Sequence, residues 1–396
     1  MVLEQRPRIH HRADPGGDPA RRIDLSRSPA GTQTVTLRLR IASLALGYAL
    51  VTGAATSALS QPQENVAADI AAGAWLVYQH NFVTDEGRVV DNRAGGISHS
   101  ESQGYGMLMA EAADDRTSFD KIWAWTRANL FVREDGLAAW RWDPAQIPPI
   151  TDRNNATDGD LLIAWALMRG GQRWSDPALQ REARRISLAI AERAIIETRH
   201  GLVLLPGVQG FGPNEQSDGP VVNMSYWIFP ALMDLGRLSD RFPARDLMNS
   251  GLTLVRDSRF GPARLPADWL SLSGQVPQPA IGYPSQFGYD AIRVPLYLAW
   301  YSRDYPDILE IFATHWKQFG KASMSVVELA TATRLSPMPD PGYQAVAALV
   351  ECSLGRRPDV ALLSDFSSQD YYPSTLHVLS LMAIAERYPT CLTDFP

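Results

Sequence analysis

Cysteine is nearly absent from the 396-residue chain, which contains two. Two thiols cannot build a disulfide scaffold or a four-cysteine zinc site. Positive charge is not in excess either. Lys and Arg total 37 against 43 Asp and Glu, a formal net charge of −6, which argues against nucleic acid as a partner. Gly (29) and Pro (28) make up about 14% of the chain, close to the usual ~12%, so no collagen-like or linker-dominated class applies. No apolar run reaches the ~20 residues of a standard membrane span. The seven His show no HExxH or comparable metal spacing, and neither a G-x-S-x-G elbow nor a G-x-x-x-x-G-K-[ST] loop occurs. No metal and no cofactor is therefore expected. What is present is an ordinary globular balance, 45% apolar and 20% charged, with eleven Trp as its one unusual feature.

Residues 1–60 differ from the rest. The first 36 mix Pro, Gly, Arg and Asp without hydrophobic period and read as a disordered extension. Arg38 and Arg40 then precede an apolar run, IASLALGYALV (41–51), and the small residues TGAATSALS. Basic, apolar, then small is the order of a secretory signal peptide, with cleavage expected near Ala58 to Ser60. An uncleaved anchor is the alternative, but the apolar run is short for it, so no stable membrane insertion is expected after cleavage. Export implies a secreted or periplasmic protein. Removing residues 1–60 takes away eight Arg and four acidic residues, which leaves a mature net charge of −10. Neutral or cationic substrates suit that surface better than polyanions. Cys352 and Cys391 would have the oxidising surroundings that pairing needs, a question the sequence leaves open.

From Glu64 onward, apolar residues recur at three- and four-residue spacing. The pattern predicts about twelve helices, including 67–82, 118–130, 158–170, 177–196, 225–238, 245–258, 287–302, 306–319 and 372–388. The eleventh, around 358–364, is weak. Thr117 or Ser118, Thr157 and Ser374 are candidate N-caps or first-turn residues. Strand-like alternation is scarce, with GLVLLPG (201–207) the best hairpin arm. Short connections alternate with long ones at 83–100, 131–157, 199–222 and 259–286. Length alone suggests two or three domains, but this alternation suits an all-α fold of six helical hairpins closed into one (α/α)6 toroid over residues 61–396. Its long loops would line a cleft. A stacked helical repeat is the alternative, and no solenoid signature recurs to support it.

Polar and aromatic residues concentrate at three loop-to-helix junctions. The first is Ser98-His99-Ser100-Glu101-Ser102-Gln103-Gly104-Tyr105-Gly106. An isolated Glu at a helix start is usually a dipole partner, but this one sits among crowded Ser, Gln and Tyr. The second, Asn154-Asn155-Ala156-Thr157-Asp158-Gly159-Asp160, supplies more polar groups than capping needs. Asp158 and Asp160 are two residues apart, so at most one faces a central cleft. The third runs from Tyr283 to Arg293 and places Asp290 and Arg293 three residues apart at the mouth of an apolar helix. A charged pair there is costly unless it serves a site. Carboxylates and aromatic rings together suit sugar. Rings stack on pyranose C–H faces, and glycoside hydrolysis needs one protonated carboxyl at the leaving oxygen and a second group on the opposite face.

At these junctions the chain resembles glycoside hydrolase family 8, bacterial endoglucanases built as (α/α)6 barrels. The resemblance rests on SESQGYGMLMA (100–110), FDKIWAWTRANL (119–130), GLAAWRW (136–142), NNATDGDLLIAWAL (154–167), NMSYW (223–227), GYDAIRVPLYL (288–298) and YYPSTLHVLSLMA (371–383). It looks nearest to the cellulases that accompany bacterial cellulose synthesis. The resemblance implies Glu101 as general acid and Asp290 as the general base that activates water. Asp158 would hold the sugar of the −1 subsite in a distorted shape and support the base. Trp140 would be a stacking platform, Tyr289 and Arg293 would frame the base, and Asn223, Ser225 and Tyr226 would line the cleft. Gln103 and Tyr105, beside the acid, join the expected substrate-binding set. Inversion of configuration is implied, with acid and base far enough apart to admit water. One departure is visible: Ser102 stands where many members are expected to carry Gly (SEGQ), a change that bears on local hydrogen bonding and pH optimum. The expected partner is a β-1,4-glucan polysaccharide, with cellulose-synthesis machinery as a further association and a monomer as the oligomeric state. Xylan, chitosan and mixed-linkage glucan are alternative substrates, and a non-catalytic glycan-binding accessory protein is the alternative outside the enzyme class.

Overall fold

The computed structural model describes residues 66–318, 324–364, 366–367 and 369–392. The expected extension, signal segment and cleavage site of residues 1–60 lie outside the described residues. Twelve α-helices occur among those described: α1 (Val66–Phe82), α2 (Ser100–Ala112), α3 (Arg116–Asn129), α4 (Thr157–Arg173), α5 (Pro177–Arg193), α6 (Phe229–Leu235), α7 (Ala244–Asp257), α8 (Arg293–Tyr301), α9 (Pro306–Lys317), α10 (Pro341–Ser353), α11 (Val360–Ser364) and α12 (Tyr371–Arg387).

Burial divides the helices into two rings. Helices α4 and α12 each bury 14 of 17 residues, while α1 buries 6 of 17 and α5 only 5 of 17. The cause is visible in the residues. The run LLIAWALM of α4 is apolar all round, as a helix surrounded by protein must be, whereas α5 confines Leu179, Ala183, Ile186 and Ile190 to one stripe and gives its other faces to charge. The even-numbered helices then close on one another: α2 packs on α4, α4 on α6, α6 on α8, α8 on α10, α10 on α12, and α12 returns to α2. The odd-numbered helices cover this inner ring from outside. The fold is an (α/α)6 toroid, as the alternation of connections predicts.

Three differences from the sequence pattern have local causes. The helix expected over 225–238 is split, because Pro230 at the start of α6 has no N–H to continue an upstream helix; residues Met224–Tyr226 make a 3-10 turn instead. The helix expected from 287 begins only at Arg293. Pro295 is tolerated solely in a first turn, so the six preceding residues are released to form the turn that carries Asp290. Helix α5 ends at Arg193 because residues Ile195–Thr198 pair with Gly201–Leu204, the expected hairpin arm. The cap of α3 is Asp115, which accepts from Ser118 N, so Thr117 and Ser118 are first-turn residues, one of the two expected roles. Cys352 and Cys391 are bonded, with Cα atoms 5.8 Å apart, and tie α10 to the 3-10 turn Pro389–Leu392. Trp227, although beside a loop, is fully buried core whose Nε1 donates to Leu247 O (3.0 Å).

Candidate active site

The inner helices bring their N-termini to one end of the toroid. Glu101 and Asp158 are the second residues of α2 and α4, Tyr226 precedes α6, Asp290 precedes α8 and Arg293 opens it, and Tyr371 and Tyr372 open α12. Unpaired amides and the aligned helix dipoles make such an end favourable for carboxylates. Close approach of α2 and α4 depends on Gly159. A Cβ at that position would meet Ser100 Oγ at 2.1 Å and Glu101 N at 2.7 Å, so any side chain there forces the two carboxylate-bearing turns apart.

One guanidinium organises the centre. Arg293, 1% exposed, contacts Glu101 Oε1 through Nη1, donates from Nη1 to Asp158 Oδ2 (3.2 Å) and from Nη2 to Asp290 Oδ1 (2.9 Å). The three carboxylates that the sequence singles out are thus brought together around a cation that stays charged. A single positive charge cannot neutralise three buried carboxylates, so the cluster favours retaining protons. Burial raises the proton affinity of Asp158 well above the ordinary range, and the nearby Asp290 adds to it. Burial also pushes Asp290 well upward, reinforced by the negative charge of Asp268. The side chains of Asn223 and Trp269 reach toward Asp290 and offset part of the rise, although Asn223 Nδ2 completes no hydrogen bond of normal length.

Around this centre is a pocket walled by Ile97, Trp140, Ala156, Tyr226, Tyr371 and Tyr372, with Glu101, Asp158 and Arg293 in its lining. Trp140 is fixed by its Nε1, which donates to Asp152 Oδ2 (2.9 Å), and the Arg141 guanidinium lies 5.8 Å from its ring. Tyr226 lies under the Arg293 guanidinium, 5.9 Å from Cζ to the ring centroid. Tyr289 is half-buried, grouped with the rings of Tyr343 and Tyr372, and its carbonyl accepts from Tyr372 OH (2.5 Å).

Three residues of the expected substrate-binding set hold contacts within the protein. Gln103 faces away from the pocket: its Oε1 accepts Val89 N (2.6 Å) and its Nε2 donates to Thr126 Oγ1 (2.8 Å), so it ties α2 to its neighbours. Tyr105 is fully buried behind the acid, where its hydroxyl donates to Glu101 Oε1 (3.2 Å) and shares a hydrogen bond with Tyr297 (2.5 Å). It orients Glu101. Ser225 turns its hydroxyl to Asn223 Oδ1 (2.7 Å), which fixes the Asn223 amide. Asp160 points to the far side of α4, as the two-residue spacing requires, and accepts Ala138 N (2.8 Å) and Asn155 Nδ2 (2.9 Å). Burial raises its proton affinity to a pKa of about 7.

Ser102, the departure from the expected motif, has a defined task. Its hydroxyl donates to His99 O (2.7 Å) and accepts His99 N (3.1 Å), while Ser102 N donates to His99 Nδ1 (3.2 Å). The result is a reciprocal cap on the turn that carries Glu101. The residues missed by sequence reasoning are Tyr371, Tyr372 and Asp268. The tyrosine doublet follows the same loop-to-helix pattern as the other three junctions, so that pattern was sufficient to find it.

An Arg-centred carboxylate triad at the mouth of an (α/α)6 toroid narrows the comparison with known proteins. The description Glycosyl hydrolases family 8 matches residues 46–386. The chain belongs to glycosyl hydrolase family 8. A probable endoglucanase of Novacetimonas hansenii is 38% identical over 338 residues, covering 84% of this chain and 94% of that protein. The structure of an endo-β-1,4-glucanase from Acetobacter xylinum superposes with a TM-score of 0.74 at 37% identity, covering 81% of this chain and 99% of that one. An endoglucanase from Komagataeibacter sucrofermentans gives 0.72 at 35% identity, with 82% and 99% covered. The family 8 chain is a glycoside hydrolase, and among its described residues no group of His, Cys, Asp or Glu is arranged to hold a metal ion.

Proposed function

We propose that the protein is an exported endo-β-1,4-glucanase that cleaves internal bonds of cellulose or related β-glucan with inversion at the anomeric carbon. The observation that carries this reading is the convergence of Glu101, Asp158 and Asp290 on Arg293 beneath an aromatic-walled pocket. In the hydrolytic step, Glu101 gives its proton to the glycosidic oxygen as the C1–O bond breaks toward that oxygen. Water attacks C1 from the opposite face, and Asp290 takes the proton that water loses. The products are two shorter chains, and both carboxyls return to their starting state by exchange with solvent. Asp158 holds the −1 sugar and Trp140 stacks beneath a neighbouring ring.

The reading extends to location and company. A bonded Cys352–Cys391 pair suits an oxidising compartment and so supports export. The toroid buries its core within one chain, which supports a monomer, and the resemblance of its motifs, such as SESQGYGMLMA (100–110), to cellulases that accompany cellulose synthesis favours work beside that machinery. Cellohexaose hydrolysis followed by anomer-resolved NMR tests substrate, endo mode and stereochemistry together. First-formed α-anomers are expected; β-anomers would replace inversion with retention, and intact cellohexaose beside cleaved xylan, chitosan or mixed-linkage glucan would move the substrate within the family.

A further inference from the structure

Asp268 lies outside every motif of the sequence, yet it is among the most constrained carboxylates in the molecule. It is 5% exposed. Its Oδ1 accepts Gly288 N (2.8 Å) and Ala291 N (2.9 Å), and its Oδ2 accepts Gln286 Nε2 (3.1 Å). Its own amide donates to Gln286 O (2.9 Å), and the Asp290 amide also points toward it. Asp268 therefore grips the turn from 286 to 291 along its length. The fit is close enough to exclude a side chain at 288, where a Cβ would meet Asp268 Oδ2 at 2.6 Å.

We propose that Asp268 is a positioning residue for the hydrolytic base: its carboxyl grips the turn that carries Asp290 and sets a second carboxyl against that base. The proposal rests on Asp290 acting as base. Burial raises the proton affinity of the Asp268 carboxyl to a pKa of about 6, and the N–H donors at both of its oxygens hold it ionised above that pH. Asp290 has fewer donors and a like charge beside it. The groups that face Asp290 are Arg293 from α8, Asp158 from α4, Tyr372 from α12, Asp268, Asn223 and Trp269, with Glu101 of α2 reached through Arg293. Of these, Asp268 is the anion that pushes Asp290 upward most strongly after burial itself. Arg293 opposes it, and the balance leaves Asp290 able to take a proton from water without becoming a free surface carboxylate.

Asp268→Asn separates charge from geometry. The amide oxygen still accepts the amides of Gly288 and Ala291, and rotation of the Gln286 amide lets it meet the new NH2 group. The acid limb of the kcat/KM profile on cellohexaose is expected to move down by about one pH unit, with the plateau falling about tenfold as the base weakens. Asp268→Glu keeps the charge and is expected to keep the limb where wild type has it, even where the plateau falls. An unshifted limb in Asp268→Asn overturns the proposal. Should that variant not fold, 13C NMR titration of the wild-type carboxyls decides. Two coupled steps that merge into one for Asp268 in Asp290→Asn support it, and independent titrations overturn it. A wild-type enzyme inactive on β-glucans would end the β-glucanase reading, whereas this titration still reads the Asp268–Asp290 coupling.

Discussion

Replacing Arg293 by methionine removes the one cation shared by Glu101, Asp158 and Asp290 while keeping most of the buried stem volume. Because the guanidinium is 1% exposed, solvent does not take over its role. Breaking a buried ion pair from one side costs about 3–5 kcal/mol at neutral pH, because the partners are left uncompensated. The loss depends on pH in a definite direction. Burial already raises the proton affinities of Asp158 and Asp290 above their unfolded values, and without Arg293 they rise further. The folded variant then binds more protons than the unfolded chain between the unfolded carboxylate range, near pH 4, and its own raised values. Its stability falls as pH climbs through that window, by up to about 1.4 kcal/mol per pH unit for each extra proton. Urea unfolding of wild type and Arg293→Met at pH 5 and pH 8 measures this. The gap between the two proteins is expected to be larger at pH 8 than at pH 5, by up to about 1.4 kcal/mol for each pH unit by which the loss of Arg293 raises a carboxyl within that window. A gap equal at both pH values would refute the shared-cation account of the cluster, whatever happens to activity.

Glu101→Gln should lower kcat on carboxymethylcellulose by at least about 10²-fold, the low end for a lost general acid, while calorimetry still detects cellohexaose binding. Gly159→Ala should cost about 1–3 kcal/mol in chemical unfolding and reduce kcat, since its Cβ would meet Ser100 Oγ at 2.1 Å. Removing the Cys352–Cys391 bond, across a sequence separation of 39, should lower stability by about 2–4 kcal/mol. The same double serine variant should retain wild-type kcat, because the bond joins α10 to the C-terminal turn rather than to the pocket.

The toroid was legible because period and burial agree. The all-round apolar run in α4 and the single stripe in α5 already distinguish inner from outer helices, and only chain-local breaks such as Pro230 and Pro295 shift the boundaries. The three carboxylates were legible because each sits at a junction richer in polar groups than a cap requires. The direction of Gln103 was not legible, since adjacency to Glu101 along the chain says nothing about it: two residues on in a helix, the side chain has turned toward Val89 and Thr126. Asp268 was invisible for the opposite reason. Its partners at 286–291 lie some twenty residues away, and no periodicity encodes a carboxylate that bonds to backbone amides.

The junction pattern has a structural cause that reaches beyond single motifs. In a ring of six hairpins every inner helix runs the same way, so every inner N-terminus reaches the same end. A chain that needs several carboxylates and rings in one place can therefore put each in the first turn of a different inner helix, or just before it. Glu101, Asp158, Arg293 and Tyr372 all follow that rule, and Tyr226 and Asp290 precede such starts by a few residues. The rule also explains why second residues recur. At that position the side chain belongs to the helix, so its backbone is fixed by the first intrahelical bonds, yet it still faces the open end. Precision comes from the helix and access from the mouth, which is the combination that a three-carboxylate cluster held by one guanidinium requires.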